Sequence, residues 1–371
     1  MKFTCLQENL KDGLSIVSKA VATRGSLPVL SNVLLATEEG GRLKLAATNL
    51  ETSIITWVKA NVEKPGAITV PARLLQEFVG NLPATEITVE LQDQNLLINA
   101  PSGKSKFNGM PQDEFPSLPK VAENLVLEVD PAAFAKAVSE VVFTAAADES
   151  RPVLSGVLLK TSGKDLVLVG VDGFRLAERR LPLSEELELL GVLVPSKTLS
   201  EVARLVSGSA SRLKIAIQPE GNLASFTSDN FSILSRLLEG EFPDYGRIIP
   251  VESKTKASFS KDDFLKAVRL SNTFSKDANN IIKVIVNSAD SQITLTATAS
   301  EIGESVSHLP AQITGEDLEA SFNGKFLLDL LNNTASEKLA LEASGPLSPG
   351  LWRLDDRADY LHLVMPVRVT G

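Results

Sequence analysis

The sequence contains very few of the side chains that build disulfides, metal centres and acid–base catalytic sites. Its 371 residues include one cysteine, Cys5, and two histidines, His308 and His362. One cysteine excludes an intrachain disulfide, and neither histidine has a Cys, His or carboxylate neighbour at metal-ligand spacing. We expect Cys5 to be a buried structural thiol and His362 to be a solvent-facing residue of an alternating strand. The chain is therefore expected to hold neither a metal ion nor a cofactor.

Long apolar runs and the signatures of common enzymes are missing as well. No apolar run approaches the roughly 20 residues of a membrane-spanning helix, and no signal peptide is predicted at the N-terminus. There is no P-loop, no G-x-G-x-x-G and no G-x-S-x-G motif. Asp172-Gly173 is typical of a turn at a strand end, and Asp262-Asp263 is typical of the first turn of a helix. These absences predict a non-catalytic, cytoplasmic protein without a membrane partner.

The composition is that of a folded protein with a net negative charge. Hydrophobic residues make up 43% of the chain and charged residues 22%, and the formal net charge is −9. The length suits two or three domains. An acidic balance argues against extended contact with nucleic acid unless the basic residues are segregated on one surface.

An internal repeat organises the chain. The segment LPVLSNVLL at 27–35 returns as RPVLSGVLL at 151–159, an offset of 124 residues, and VPAR at 70–73 returns at the same offset as VPSK. A weaker third copy begins where FAKAV at 134–138 is matched by FLKAV at 264–268. Three units of roughly 120–130 residues follow, which is a common domain size. We place the domains at 1–121, 122–250 and 251–371.

Each unit shows the same order of predicted elements. A strand opens it, a helix follows, alternating strands come next, a second helix begins at Pro71, Pro195 or Asn323, and further strands close the unit. Asp130-Pro131 is typical of a helix start, with an N-cap aspartate and a proline at the first helical position. Two helices and about eight strands per unit predict an α+β fold with helices on one face of the sheets.

Basic residues are enriched in the predicted helices. Their net charge is +3, from 13 basic and 10 acidic residues, whereas the rest of the chain carries −12. This sign agrees with helices that face phosphate and strands that face outward, but ordinary solvated helix faces give the same pattern. The helix windows are 7–25, 71–82, 130–147, 195–208, 260–276 and 323–338.

Several short segments, taken in order, resemble the β subunit of bacterial DNA polymerase III, the β sliding clamp family. Each segment is weakly specific alone, but six in the family's order and spacing, on a threefold repeat, are specific and cover the whole chain. The resemblance implies three-domain subunits that form a head-to-tail homodimer, a closed ring with helices inside and sheets outside. The segments are MKFT at 1–4, LPVL at 27–30, VPAR at 70–73, DGFRL at 172–176, FPDY at 242–245 and VMPVR at 364–368.

The resemblance also implies where the protein would bind its partners. Double-stranded DNA would be held topologically and independently of sequence, and we assign its contacts to Arg24, Arg73, Lys197 and Arg204. The subunit contact would place Lys104, Lys106 and Phe107 of one copy opposite Leu270, Glu301 and Glu304 of the other.

The replicative polymerase, the clamp loader and repair proteins would insert short linear peptides into one pocket between domains 2 and 3. The sequence departs from the family's pattern at two positions, since Phe174 stands where relatives often have a histidine and Gly246 where they often have a basic residue. The pocket residues implied are Leu154, Val171, Gly173, Phe174, Arg175, Leu176, Pro243, Arg247, Ile248, Asn323, Phe326, Leu347, Pro349, Leu363, Met365, Pro366, Val367 and Arg368.

Two other functions remain open at this point. A repeat scaffold that binds only proteins would share the fold and the pocket but would show no dependence on DNA. A hydrolase would need a catalytic site that the motifs do not reveal. The charge of the predicted helices favours the clamp over the scaffold, and the missing catalytic groups count against the hydrolase.

Overall fold

The chain forms two compact units. A computed structural model describes residues 1–22, 27–121, 125–148, 150–188, 191–207, 211–276, 279–299 and 303–368. The first unit comprises Met1–Ala135 and Lys197–Leu237, and the second comprises Lys136–Ser196 and Leu238–Gly371. The second sequence repeat therefore contributes to both units. Arg24 and Glu301, which were assigned to sites above, lie outside the described residues.

The first repeat contains two helices and nine strands within the described residues. The helices are α1 (Gln7–Val17) and α2 (Ala72–Gly80). The strands are β1 (Lys2–Leu6), β2 (Asn32–Glu38), β3 (Arg42–Thr48), β4 (Thr52–Lys59), β5 (Asn61–Lys64), β6 (Ala67–Pro71), β7 (Glu86–Gln92), β8 (Asn95–Ala100) and β9 (Gly103–Asn108).

The second and third repeats each contain two helices and eight strands in the part that is described. The second has α3 (Pro131–Val141), α4 (Ser196–Val206), β10 (Leu125–Val129), β11 (Gly156–Ser162), β12 (Asp165–Val171), β13 (Arg175–Pro182), β14 (Val192–Pro195), β15 (Leu213–Gln218), β16 (Leu223–Ser228) and β17 (Phe231–Arg236). The third has α5 (Lys261–Ser275), α6 (Gly324–Asn333), β18 (Thr255–Ser260), β19 (Ile281–Asn287), β20 (Gln292–Ala299), β21 (Gly303–Gly315), β22 (Leu318–Asn323), β23 (Lys338–Ala343), β24 (Gly350–Leu354) and β25 (Arg357–Val364). The predicted α+β composition of each repeat is confirmed.

Antiparallel sheets run through both units. The first unit holds a five-stranded sheet, ordered β5-β1-β7-β8-β9, and an eight-stranded sheet, ordered β10-β15-β16-β17-β4-β3-β2-β6. The second unit holds a twelve-stranded sheet, ordered β14-β11-β12-β13-β25-β24-β23-β18-β21-β20-β19-β22. Strands of two repeats pair directly at two places, β17 with β4 and β25 with β13. Each large sheet is therefore continuous across a junction between repeats.

The helices begin where the sequence predicts but end earlier. The Asp130 carboxylate accepts a hydrogen bond from the Ala133 amide at 2.8 Å, so the predicted N-cap is confirmed. Asp262 and Asp263 lie in the first turn of α5, also as predicted. The helix windows were too long, and the six described α-helices carry nine basic and eight acidic residues, a net charge of +1. The predicted charge of +3 was therefore an overestimate, and helix charge alone favours no function.

Burial confirms one expectation about the rare residues and overturns another. Cys5 is buried, and this burial raises the pKa of its thiol to about 12. The expectation that His362 faces solvent was wrong, because its side chain is 0% exposed and stacks on Phe143 with ring centroids 5.6 Å apart. Burial, with a smaller contribution from Arg175, lowers the pKa of His362 to about 3. The alternation of apolar and polar residues predicted that one face of this strand is exposed to solvent. However, β25 lies inside the large sheet, and the Phe143 ring covers the histidine on that face.

No helix in the described part of the chain is both long and apolar enough to span a membrane.

Candidate functional site

The proposed peptide pocket has a buried apolar floor in the second unit. Leu154, Val171, Leu176 and Leu363 belong to one core cluster, together with Tyr245. The pairing of β13 with β25 sets Leu176 opposite Leu363, which brings residues far apart in sequence into contact. Four of the predicted pocket residues are thereby placed together.

A tight turn between β12 and β13 forms one side of this floor. The Asp172 carboxylate accepts hydrogen bonds from the amides of Phe174 at 2.9 Å and Arg175 at 3.0 Å, and Gly173 has φ +94°. This φ is favourable for glycine, so the predicted turn is confirmed. The Met365 amide donates to the Phe174 carbonyl at 2.8 Å. Phe174, whose side chain is 64% exposed, therefore neighbours Met365 at the rim.

Arg175 is held rigidly beside the turn. Its guanidinium donates to Asp172 at 3.0 Å, to Asp329 at 2.6 Å and to the Phe143 carbonyl at 2.8 Å. It also lies over the Phe326 ring, 4.4 Å from the centroid. Asp329 and Phe143 were missed by the sequence analysis. Asp329 lies 154 residues from Arg175, and no motif connects the two positions.

Several of the residues assigned to the pocket expose large apolar side chains. Large hydrophobic residues are normally covered, and an exposed group of them is typical of a binding surface. Other assigned residues are fixed by local contacts: the Pro243 carbonyl accepts from the Tyr245 amide, the Val367 amide donates to the Ser321 carbonyl, Asn323 caps α6, and Arg247 pairs with Asp244 at 2.7 Å. The assigned residues with exposed large apolar side chains are Phe174, Ile248, Leu347 and Met365.

The residues assigned to the subunit contact lie on strand edges and on one helix. Lys104, Lys106 and Phe107 belong to β9, the edge strand of the five-stranded sheet. Phe107 is a core residue, since its ring packs edge-on against Phe78 with centroids 5.2 Å apart. In the second unit, Glu304 is the second residue of β21, and Leu270 on α5 is exposed.

The basic residues assigned to DNA occupy helix N-termini. Arg73 and Lys197 are the second residues of α2 and α4, and both are exposed. Lys325 holds the same position in α6 and is also exposed, but the sequence analysis missed it. Comparing the second helix of all three repeats would have found it. Arg204 lies further along α4, and its guanidinium pairs with Glu201 at 2.8 Å.

Comparison with known proteins gives a consistent result over the whole chain. Models of the DNA polymerase III beta subunit match in three parts, the N-terminal domain at residues 1–119, the central domain at 128–244 and the C-terminal domain at 246–368. The beta sliding clamp of Synechococcus elongatus is 31% identical, with 100% of both chains covered. That of Bacillus subtilis is 30% identical, with 99% of this chain and 100% of the relative covered.

Solved structures show the same likeness in three dimensions. The crystal structure of the DNA polymerase sliding clamp from Bacillus subtilis gives a TM-score of 0.94 at 28% identity, covering 100% of both chains. That of the sliding clamp from Pseudomonas aeruginosa bound to griselimycin gives 0.94 at 29% identity, again covering 100% of both chains. Three family models, full-length relatives and closely superimposable structures agree, so the chain belongs to the DNA polymerase III beta subunit family, the bacterial beta sliding clamps.

Proposed function

We propose that the protein is a DNA sliding clamp, a non-catalytic processivity factor that encircles duplex DNA and tethers the replicative polymerase to it. The observation that carries the proposal is the strand pairing between repeats. The last strand of the second repeat, β17, pairs with β4 of the first, and the last strand of the third, β25, pairs with β13 of the second. The same pairing is therefore made twice within one chain.

Two strands have free edges with which to continue this pattern: β9, the last strand of the first repeat, and β21, the third repeat's counterpart of β4 and β13. Among the described strands, β9 pairs only with β8, and residues 303–310 of β21 pair only with β20. A strand edge of this kind readily pairs with another chain. We infer that β9 of one copy pairs with β21 of a second copy, which makes the contact heterologous. A heterologous contact that closes after two copies gives a ring of six similar domains.

The two internal junctions also suggest a register for this contact. The hairpin β3–β4 corresponds to the hairpin β20–β21, and in this alignment the buried cross-strand pair Leu43–Val58 matches the buried pair Ile293–Leu309. The hairpins β8–β9 and β16–β17 also align. Applied to β9, the register of β17 on β4 sets Lys106 opposite Glu304. The opposite charges support this pairing, since such cross-strand pairs are stabilising.

The subunit contact can be tested by exchanging these charges. Light scattering at micromolar concentration should give about twice the chain mass of 39.7 kDa for the native protein. Lys106→Glu should shift the equilibrium towards monomer, because two carboxylates would then face each other. The double variant Lys106→Glu with Glu304→Lys should restore the dimer. A native protein that is monomeric throughout, or a double variant that is weaker than the single one, would contradict the proposed contact.

We propose that DNA is held by topology with weak phosphate contacts. The six described helices are nearly neutral, so few phosphates would be contacted and the ring could slide. Arg73, Lys197 and Lys325 recur at one position of the repeat, and this supports equivalent contacts to the DNA backbone. A polymerase tethered in this way gains effective concentration near its template without additional catalytic contacts.

Partners are proposed to dock in the pocket of the second unit. The polymerase, the clamp loader and repair proteins act in turn on one ring, and an exchangeable peptide anchor suits that use. The buried floor of Leu176 and Leu363 can receive apolar anchors, and the exposed Met365 gives an adaptable wall.

Retention on DNA tests the function directly. The protein is loaded by a clamp loader onto a closed circular plasmid, and the bound fraction is followed before and after one cut by a restriction enzyme. We expect long retention on the circle and rapid loss from the cut DNA. Equal retention on both would exclude sliding. Charge reversal at Arg73 and Lys197 should reduce retention, and more strongly as the salt concentration rises.

The near-neutral helices leave one second candidate, a repeat scaffold that binds only proteins. Such a scaffold would bind the same peptides through the same pocket. It would show no loader-dependent retention on circular DNA, so the plasmid experiment separates the two functions.

A further inference from the structure

A groove in the first unit occupies the position in its repeat junction that the proposed peptide pocket occupies in the second unit. Its cavity volume is about 230 Å³, and its lining includes Leu50, Leu118, Leu223, Leu234 and Arg236. The groove lies where β4 of the first repeat pairs with β17 of the second, just as the pocket lies where β13 pairs with β25. The two sites therefore sit at equivalent junctions.

The backbone of the two sites is the same in detail. The Asn49 side chain accepts from the amides of Glu51 at 3.0 Å and Thr52 at 2.7 Å, as Asp172 accepts from Phe174 and Arg175. The Arg236 amide donates to the Glu51 carbonyl at 2.8 Å, as Met365 donates to Phe174 at the same distance. Glu51 and Arg236 thus stand where the pocket has Phe174 and Met365.

One residue of this turn keeps an unfavourable backbone conformation. Leu50 has φ +75° at the position where the pocket has Gly173 with φ +94°. A leucine in this region costs about 1–2 kcal/mol that a glycine would not. Its side chain is 48% exposed at the edge of the groove. A strained and exposed leucine is typical of a residue held for a binding surface.

The side chains give this groove a different chemistry from the pocket. Arg236 replaces Met365, Glu51 replaces Phe174, and Ser53 replaces Leu176. Arg236 is exposed, and its Nε donates to the Leu50 carbonyl at 3.1 Å. Within the described residues Arg236 forms no ion pair, so its terminal N–H groups can donate hydrogen bonds to a carboxylate from outside.

We propose that this groove binds an extended peptide of a protein partner, with one leucine-like side chain on Leu118 and Leu234 and one carboxylate on Arg236. The inference rests on the proposed function, because peptide binding by the groove is inferred from its equivalence to the proposed peptide pocket. The cavity is smaller than usual small-molecule sites, which suits a single side-chain anchor. The Glu51 carboxylate adds a negative charge nearby, so a peptide with one acidic residue is favoured over a polyacidic one.

Photo-crosslinking of the full-length dimer tests the groove. The probe is the pentapeptide Gly-Leu-Glu-Leu-Gly with photoreactive leucine, and the matched neutral probe has glutamine in place of glutamate. We expect the acidic probe to crosslink within residues 48–53, 116–119 and 223–236, with about tenfold weaker capture of the neutral probe. Arg236→Met should abolish that preference, whereas substitution of an exposed arginine just before β15, Arg212→Ala, should retain it.

The location of the crosslinks separates the two proposals. Crosslinks only within 171–176 and 363–367 would overturn the groove and leave the pocket standing. Crosslinks in the groove alone would support the inference and count against the pocket. Equal capture of both probes by native protein and by Arg236→Met would overturn the assigned charge contact, and thermal unfolding of each variant confirms that it is folded.

Discussion

The two junctions between repeats share one backbone arrangement but are held together by different side chains. At the first, the hydroxyls of Thr52 and Thr198 lie 3.0 Å apart. At the second, the Glu140 carboxylate accepts from Arg179 at 2.8 Å and from Arg357 at 2.6 Å. Hydrogen bonding by Glu140 raises the pKa of the Arg357 guanidinium. The repeat therefore determines which strands pair at each junction, whereas the side chains determine how sensitive the junction is to substitution and what it can bind.

The cluster at the second junction is expected to be sensitive because it is buried. The Glu140 side chain is 1% exposed, and Arg179 and Arg357 are 8% and 14% exposed. Charges in this situation depend on one another, since removing one buried partner leaves the others with less compensation. The hydroxyl pair at the first junction has no such dependence.

Removal of the central carboxylate should have the largest effect on stability. Glu140→Gln removes the buried carboxylate shared by two guanidinium groups and leaves them only the partly exposed Asp359 as a charged partner, so we expect a loss of about 3 kcal/mol in the free energy of unfolding. Urea denaturation measures the loss. The control is Glu128→Gln, which breaks an exposed pair with Arg212 and should leave the midpoint unchanged. Equal effects of the two substitutions would remove the distinction between the junctions.

Truncation at the rim of the pocket should affect binding and not assembly. Met365→Ala removes packing from the pocket wall and should cost about 1–2 kcal/mol of affinity for a labelled polymerase C-terminal peptide. Fluorescence anisotropy measures the affinity, and sizing should show an unchanged dimer. Arg236→Ala, the equivalent position at the first junction, should bind this peptide normally. If both variants bind it with native affinity, the pocket is misassigned.

The hydroxyl contact at the first junction should contribute modestly. Thr52→Val keeps the shape and β-propensity of the side chain but removes its hydrogen bond to Thr198, which we expect to cost about 1 kcal/mol. The urea midpoint is again the measurement. A loss as large as that of Glu140→Gln would show that the two junctions are equally sensitive.

Exchanging residues at the two turns should give the smallest effects, with opposite signs. Leu50→Gly removes the backbone strain of a leucine in the left-handed region, and it should increase the free energy of unfolding by about 0.5–1 kcal/mol. Gly173→Ala imposes the same strain and should destabilise by about 1 kcal/mol, since the nearest atom to the new Cβ is 3.9 Å away. Changes of the same sign in the thermal midpoint would contradict the equivalence of the turns.

Local patterns predicted the parts of this protein that depend on neighbouring residues. The Asp130 cap, the acids at the start of α5, the turn at Asp172 and the starts of the second helices all follow from short-range preferences. Helix ends were predicted too late, because apolar spacing continues past the last helical residue. The pocket assignment came from resemblance, and the partners of Arg175 were not foreseen.

The sequence by itself determined the threefold repeat, the composition of each repeat and the family, since all three are written in residue order and spacing. Only the tertiary structure decided which strands of different repeats pair, that His362 is buried, and that Glu140 meets Arg357 across 217 residues. The physical reason is that the alternation of residues along a strand shows which side chains share a face, but it does not show what packs against each face. A buried charge cluster likewise exists only after distant strands have been brought together.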